Sequence, residues 1–167
     1  IRLSLVGSEM CIRDSHRDSY DIVVTTQDWH IDPGDHFSSN PDFVDSWPPH
    51  GVAGTDEAEI HPAVAEIPVD AHVKKGQYAA AYSGFEGTTK GGSSLETILR
   101  DHRIEAVDVV GLALSHCVKD TALDAQHLGF TTTCLTDLSE PVSLESGEAA
   151  VAAMEDAGVT VTTSSQL

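Results

Sequence analysis

The sequence predicts an α/β fold with a mainly parallel sheet, and two observations carry that expectation. Short runs rich in β-branched residues alternate with helical patterns of about 10 to 15 residues, the order of βαβ units. The helical patterns also stop at glycine, at Gly129 and Gly158, where a helix end takes a left-handed residue. With 167 residues, 40% hydrophobic, the chain is long and apolar enough for one packed domain.

Taken in order, residues 1–15 fit no element and lack the basic, apolar and small-residue order of a signal peptide. The run Leu5-Val6-Gly7-Ser8-Glu9-Met10-Cys11-Ile12-Arg13-Asp14-Ser15 resembles a translated sequencing adaptor. Residues 1–15 are therefore set apart as non-native, and 16–167 are taken as the domain. Asp21 to Thr26 is a β-branched run with the length of a buried strand. From Ile31 to His61 the chain is dense in Pro, Gly, Asp and Ser without a period, which reads as a long functional loop. A second apolar piece, Ile67 to Val73, leads to Lys74-Lys75-Gly76. Ser93 and Glu96 have capping-box spacing, and Leu95, Ile98 and Leu99 give the helix that follows an apolar stripe. A strand over Val107 to Leu112 runs into Ser115-His116-Cys117 and a helix with Val118, Thr121, Ala122 and Ala125 on one face. Thr131 to Leu135 reads as a strand, Leu144 to Ala157 as a helix and Val159 to Thr162 as the last strand.

Composition excludes several functions. Nine Lys+Arg against 27 Asp+Glu give a net charge of −18, which rules out a basic nucleic-acid binder and is read as a solvated surface that names no partner. There is no apolar run of the roughly 18 residues that a membrane span needs. Cys11, Cys117 and Cys134 are odd in number and widely spaced, which fits neither a disulfide framework nor a CxxC cage and points to a reducing, cytoplasmic setting.

In parallel sheets, ligands gather at the carboxyl ends of the strands. Here three such ends carry chemistry: Asp28 and His30, Lys75, and Cys117. Asp28 and His30 are two apart, so in extended backbone they point to one side and can grip one ion. His36 and His50 can close round it from the loop, with His61 as a rival ligand. Such a set suits zinc, iron or manganese, although a loop histidine is more often simply solvated. Cys117 lies where a strand turns into a helix, whose N–H groups and dipole lower a thiol pKa and can bind an oxyanion. The plainer reading is a small core residue, and Cys134 gets that reading alone. Lys75 could hold a thiolate by its charge. His116 is a poor base for Cys117, because neighbours on a helix point about 100° apart.

The run Asp28-Trp29-His30-Ile31-Asp32-Pro33-Gly34-Asp35-His36-Phe37-Ser38 with Trp47-Pro48-Pro49-His50 resembles the metal loop of the nicotinamidase (pyrazinamidase) branch of the isochorismatase-like cysteine hydrolase superfamily. Lys75-Gly76 with Tyr82 to Gly87, and Val110 to Ala113 with His116-Cys117-Val118, are similar to its lysine and nucleophile segments. The resemblance implies a three-layer α/β/α fold and hydrolysis of nicotinamide to nicotinate and ammonia in NAD salvage. It gives Cys117 as nucleophile and Lys75 as the triad lysine. Asp28, His30, His36 and His50 become ligands of one divalent metal ion, zinc, iron or manganese, with His50 preferred to His61. Trp47 and Tyr82 become walls round the substrate ring. The resemblance also implies a cis peptide at Leu112-Ala113, and an oxyanion hole from the N–H groups of Ala113 and Cys117. Nicotinamide is the implied substrate, with pyrazinamide beside it. No nucleic acid or membrane partner is implied, and a homo-oligomer is left open.

One departure stands out. The family's triad aspartate belongs to a first strand that should precede His16, and neither Asp14 nor Asp18 ends an apolar strand. The first strand is therefore expected to be missing, and the chain as given to be unstable and nearly inactive beside a full-length parent. The competing readings are a hydrolase of another small amide or of isochorismate, a non-catalytic metal- or ligand-binding module, and a redox role for Cys117.

Overall fold

The computed structural model describes residues 2–3, 19–65 and 67–166. Among these described residues, six strands form one all-parallel sheet in the order β3-β2-β1-β4-β5-β6: β1 (Arg2–Leu3), β2 (Val23–Asp28), β3 (Ala71–Lys75), β4 (Ala106–Leu112), β5 (Thr131–Glu140) and β6 (Thr160–Thr162). Helices flank the sheet, as a three-layer α/β/α fold requires: a single turn α1 (Pro62–Ala65), then α2 (Leu95–Asp101), α3 (Lys119–His127) and α4 (Leu144–Asp156).

The expectation of a missing first strand is corrected. Arg2 pairs with Val23 and Asp108, and Leu3 with Val24, so β1 lies between β2 and β4. Two parallel strands held one strand-width apart present backbone donors and acceptors to the gap, and an extended pair of residues satisfies them whatever its side chains. The rest of the segment read as an adaptor, with Cys11 and Asp14, lies outside the described residues, as does Asp18.

Three strands are placed differently from the sequence reading. β2 runs on to Asp28, because Thr25, Thr26, Gln27 and Asp28 pair with His72, Val73, Lys74 and Lys75 of β3. β3 itself occupies Ala71–Lys75 at the end of the expected piece. β5 continues past Leu135 to Glu140 through a register shift, where Val109 pairs with Cys134 but Gly111 with Ser139. Leu135, Leu138 and Val110 fill a small apolar cluster there, and Ser139 Oγ donates to the Leu135 carbonyl at 2.9 Å. The cap of α2 is Ser94, whose Oγ accepts from Thr97 N at 3.1 Å. Ser93 is instead held in a turn with Thr89, so the expected Ser93–Glu96 box does not form.

The core sits between the strands and α2, α3 and α4. Val24, Val73, Val107, Val109 and Cys134 pack against Leu95, Ile98, Leu99, Ala122, Ala125, Phe130 and Met154. Val23, Val24 and Thr25 are consecutive and all buried, as befits a strand covered on both faces. The sheet thus aligns β3 and β2 as neighbours and β4 one strand further on, across β1, so that Asp28, Lys75 and the Leu112–Ala113 turn gather at the carboxyl ends of the three strands.

Candidate active site

The register of β2 on β3 makes Asp28 and Lys75 direct neighbours, and their side chains meet. Lys75 Nζ donates to Asp28 Oδ1 at 2.5 Å, to the Ala81 carbonyl at 2.9 Å and to Cys117 Sγ at 3.4 Å. The lysine is only 3% exposed, so its three donors are used against partners rather than water. Burial opposes its charge, but the Cys117 sulfur and the Asp28 carboxylate outweigh it and hold the lysine pKa above its ordinary value. Burial pushes the Cys117 thiol up, with Lys75 and the Ala113 N–H pulling the other way. The resting nucleophile is therefore a thiol beside a permanent cation, and it needs a proton acceptor before it attacks.

Cys117 lies in a π-helical turn, Leu114–Val118, that opens α3, with Ala113 as its cap. The peptide between Leu112 and Ala113 is cis, as the family pattern implied. His116 N and Val118 N both donate to the Ala113 carbonyl, at 3.0 and 3.2 Å, which ties the turn to the end of β4.

His30, His36 and His50 form the second part of the site: one ring nitrogen from each lies within 4.8 Å of the others. Each Nδ1 is engaged by a backbone carbonyl, His30 with Gly76 at 2.6 Å, His36 with Asp45 at 3.1 Å and His50 with Pro48 at 2.8 Å. A ring that donates from Nδ1 to a carbonyl leaves Nε2 as a lone-pair ligand. Among the described residues His30 Nε2 is buried without a hydrogen-bond partner, and burial lowers the His30 pKa, which favours the neutral form a metal needs. The donor set thus fits a divalent transition metal. Gly76 is also required here: at φ +71, a Cβ on it would stand 2.5 Å from the His30 ring.

Asp28, expected beside these histidines, has its Oδ1 3.9 Å from His30 Nε2, and the same oxygen accepts from Lys75. It therefore borders both halves of the site. His61 lies outside the histidine cluster. A cavity of about 240 Å³ joins the two halves and is lined by Asp28, His36, His50, Trp47, Tyr82 and Cys117, among others. Trp47 Nε1 donates to Tyr82 Oη at 2.9 Å, so the two expected wall residues are locked together.

Sequence reasoning missed two contributors. His116, set aside as a base, packs its ring 5.2 Å from Trp47 and 5.6 Å from Tyr82 and completes the aromatic lining. Burial lowers its pKa, so it is a neutral ring in that wall. The Ala81 carbonyl, which receives Lys75, carries no side-chain signal and is visible only in the fold.

Residues 8–166 match the isochorismatase domain. The chain belongs to the isochorismatase family. Within that family it is 47% identical over 146 residues to the nicotinamidase/pyrazinamidase of Mycobacterium tuberculosis, covering 87% of this chain and 78% of that protein. It is 34% identical to the nicotinamidase of Escherichia coli, covering 80% and 70%. Among solved structures, the pyrazinamidase of Pyrococcus horikoshii in complex with zinc superposes with a TM-score of 0.75 at 32% identity, covering 92% of this chain and 80% of that one. PnC1 from L. infantum in complex with nicotinate gives 0.77 at 31%, covering 98% and 84%. This isochorismatase-family chain shares the parallel sheet and flanking helices of those neighbours.

Proposed function

We propose that this protein is an amidohydrolase that converts nicotinamide to nicotinate and ammonia, with Cys117 as nucleophile. The observation that carries the reading is Lys75 Nζ shared between Asp28 and Cys117, which both line a cavity with His36 and His50, two of the three clustered histidines. Relatives named for nicotinamide and pyrazinamide hydrolysis, and neighbours in complex with zinc and with nicotinate, support it.

His30, His36 and His50, with Asp28 at their edge, would hold one divalent metal, which supplies a Lewis acid for the nitrogen of the substrate ring. Zinc in the Pyrococcus neighbour makes zinc the first candidate. Trp47, Tyr82 and His116 form one aromatic wall that suits a flat heteroaromatic ring. The thiol proton needs a carboxylate acceptor, and Asp28, hydrogen-bonded to the Lys75 ammonium that also reaches Cys117 Sγ, is the candidate among the described residues. The thiolate, steadied by the Lys75 charge, attacks the carboxamide carbon and a C–S bond forms. The N–H groups of Ala113 and Cys117 receive the oxyanion. The C–N bond breaks, the amine leaves as ammonia with the proton, and water then cleaves the thioester to release the carboxylate and restore the thiol. Pyrazinamide, of like shape and with a ring nitrogen in the same place, is the second substrate expected.

The test is ammonia release from nicotinamide by metal-loaded protein, alongside Cys117→Ala. Turnover that Cys117→Ala abolishes supports the reading. Tight binding of metal and nicotinamide without turnover would instead identify a binding module on the same scaffold.

A further inference from the structure

The loop between His36 and His50 holds an exposed carboxylate with an unusual number of donors on it. Asp42 Oδ1 accepts from Val44 N and Asp45 N at 3.0 Å, and from Ser46 N and Ser46 Oγ at 2.9 Å. Ser46 Oγ accepts in turn from Asp42 N at 3.0 Å, and Phe43 N donates to the Ser46 carbonyl at 3.1 Å. Residues 42–46 are thereby tied into one closed unit, with Phe43 held at φ 59.

What this unit faces is the site. The Val44 carbonyl accepts from Tyr82 Oη at 3.0 Å, and Tyr82 Oη accepts from Trp47 Nε1, so the chain Trp47–Tyr82–Val44 fixes the aromatic wall. The next carbonyl, of Asp45, engages His36 Nδ1 and decides which nitrogen that ring turns toward His30 and His50. Two adjacent carbonyls of one five-residue unit thus orient a pocket wall and a ring of the histidine cluster.

We propose that Asp42 is a positioning residue: by knotting residues 42–46 it sets the Val44 and Asp45 carbonyls, and through them Tyr82 and His36. It touches neither substrate nor metal. The backbone N–H groups of Val44 and Ser46 hold its carboxyl well below the usual carboxylate range, so the knot keeps its charge over the working pH of the protein. That the wall receives nicotinamide rests on the function proposed above; that the knot orients His36 does not.

The experiment compares Asp42→Ala and Asp42→Asn with the parent chain, stripped of metal and titrated with Co²⁺, and then assayed on nicotinamide after loading. Removing an outer partner of a ligand imidazole costs about 10- to 100-fold in metal affinity, and Asp42, one step further out, is expected to lie near the lower end at about tenfold. The visible Co²⁺ spectrum of Asp42→Ala should shift as His36 loses its fixed orientation. KM for nicotinamide should rise with kcat little changed, the mark of lost ground-state positioning. Asp42→Asn retains an oxygen at the same point and should recover most of both effects. An Ala variant with the parent's Co²⁺ affinity, spectrum and KM would overturn the proposal. So would one whose only change is a smaller folded fraction, with the remainder behaving like the parent. If the parent chain binds Co²⁺ but does not turn over nicotinamide, the functional reading fails while the titration and spectrum still decide on Asp42.

Discussion

Replacing Lys75 by methionine removes the charge from Cys117 while keeping a long side chain in a buried slot. The ammonium lies 3.4 Å from the sulfur. A unit charge at that distance is worth about 1 kcal/mol in water-like surroundings and about 5 kcal/mol at an effective dielectric of about 20. At about 1.4 kcal/mol per tenfold, its loss raises the thiol pKa by about 1 to 3.5. A more basic thiolate is also more nucleophilic, so roughly half of that effect survives in a rate, which gives a slowing of about 3- to 60-fold. The Asp28 carboxylate, left facing the sulfur without its counter-ion, pushes in the same direction. The assay is iodoacetamide labelling of Cys117, followed by mass spectrometry of its peptide at neutral pH. Lys74→Met serves as control, because the Lys74 ammonium lies over the Trp29 ring, 2.9 Å from its centroid, and removing it takes away an equal charge. Since burial already holds the Cys117 thiol above its ordinary value, labelling of the parent should also climb as pH rises past neutral. Labelling of Lys75→Met at or above the parent rate, in folded protein, would refute the argument that this cation stabilises the thiolate.

Three further outcomes follow from the same contacts. His50→Ala, which takes one ring from the cluster of three, should reduce bound metal after dialysis from about one per chain to little, read by elemental analysis. Leu99→Ala opens a void in the core, where Leu99 is fully buried, and should cost about 2–5 kcal/mol in denaturant unfolding. Burial pushes the Cys134 thiol up to about 12, from an ordinary value of 9.0. A raised folded-state pKa stabilises fully below the unfolded value and is lost as pH climbs through the folded one. The parent should therefore lose stability between about pH 9 and 12, and Cys134→Val should lose less over that window.

The parts of the site that sequence revealed are those where residue type alone carries the chemistry. His30 follows the end of a strand, His36 and His50 stand in a loop too rich in Pro and Gly to be a core element, and the fold brings the three rings together. Cys117 follows a buried strand and opens a helix, as its spacing indicated. What sequence could not give is register. The two-residue spacing of Asp28 and His30 puts both on one side of an extended strand, but only the pairing with β3 reveals that Asp28 also stands beside Lys75. A shift of one residue in that pairing would turn the lysine to the other face of the sheet. β5 illustrates the same limit: Asp137 and Ser139 break the apolar run, but the Gly111–Ser139 pairing carries the strand through them. His116 was discounted by a helix-wheel argument that concerns bases. Its role as a wall depends on Trp47 and Tyr82 arriving from two distant segments.

The irregularity of residues 31–61 is itself explained by the histidines. A neutral imidazole ligand needs a carbonyl for its Nδ1, and regular strands and helices have already committed their carbonyls to their own ladders. Gly76, Asp45 and Pro48 supply these acceptors because each lies outside a strand or helix, at the end of β3 or in the loop. Two short bridges, His30 with Val52 and Phe37 with Trp47, hold the loop without consuming those oxygens. A more regular loop would be cheaper to order but would leave the rings free to present either nitrogen. The long turn-rich segment is thus the form this chain needs if His36 and His50 are to meet His30 and line, with an aromatic wall, the cavity beside Cys117.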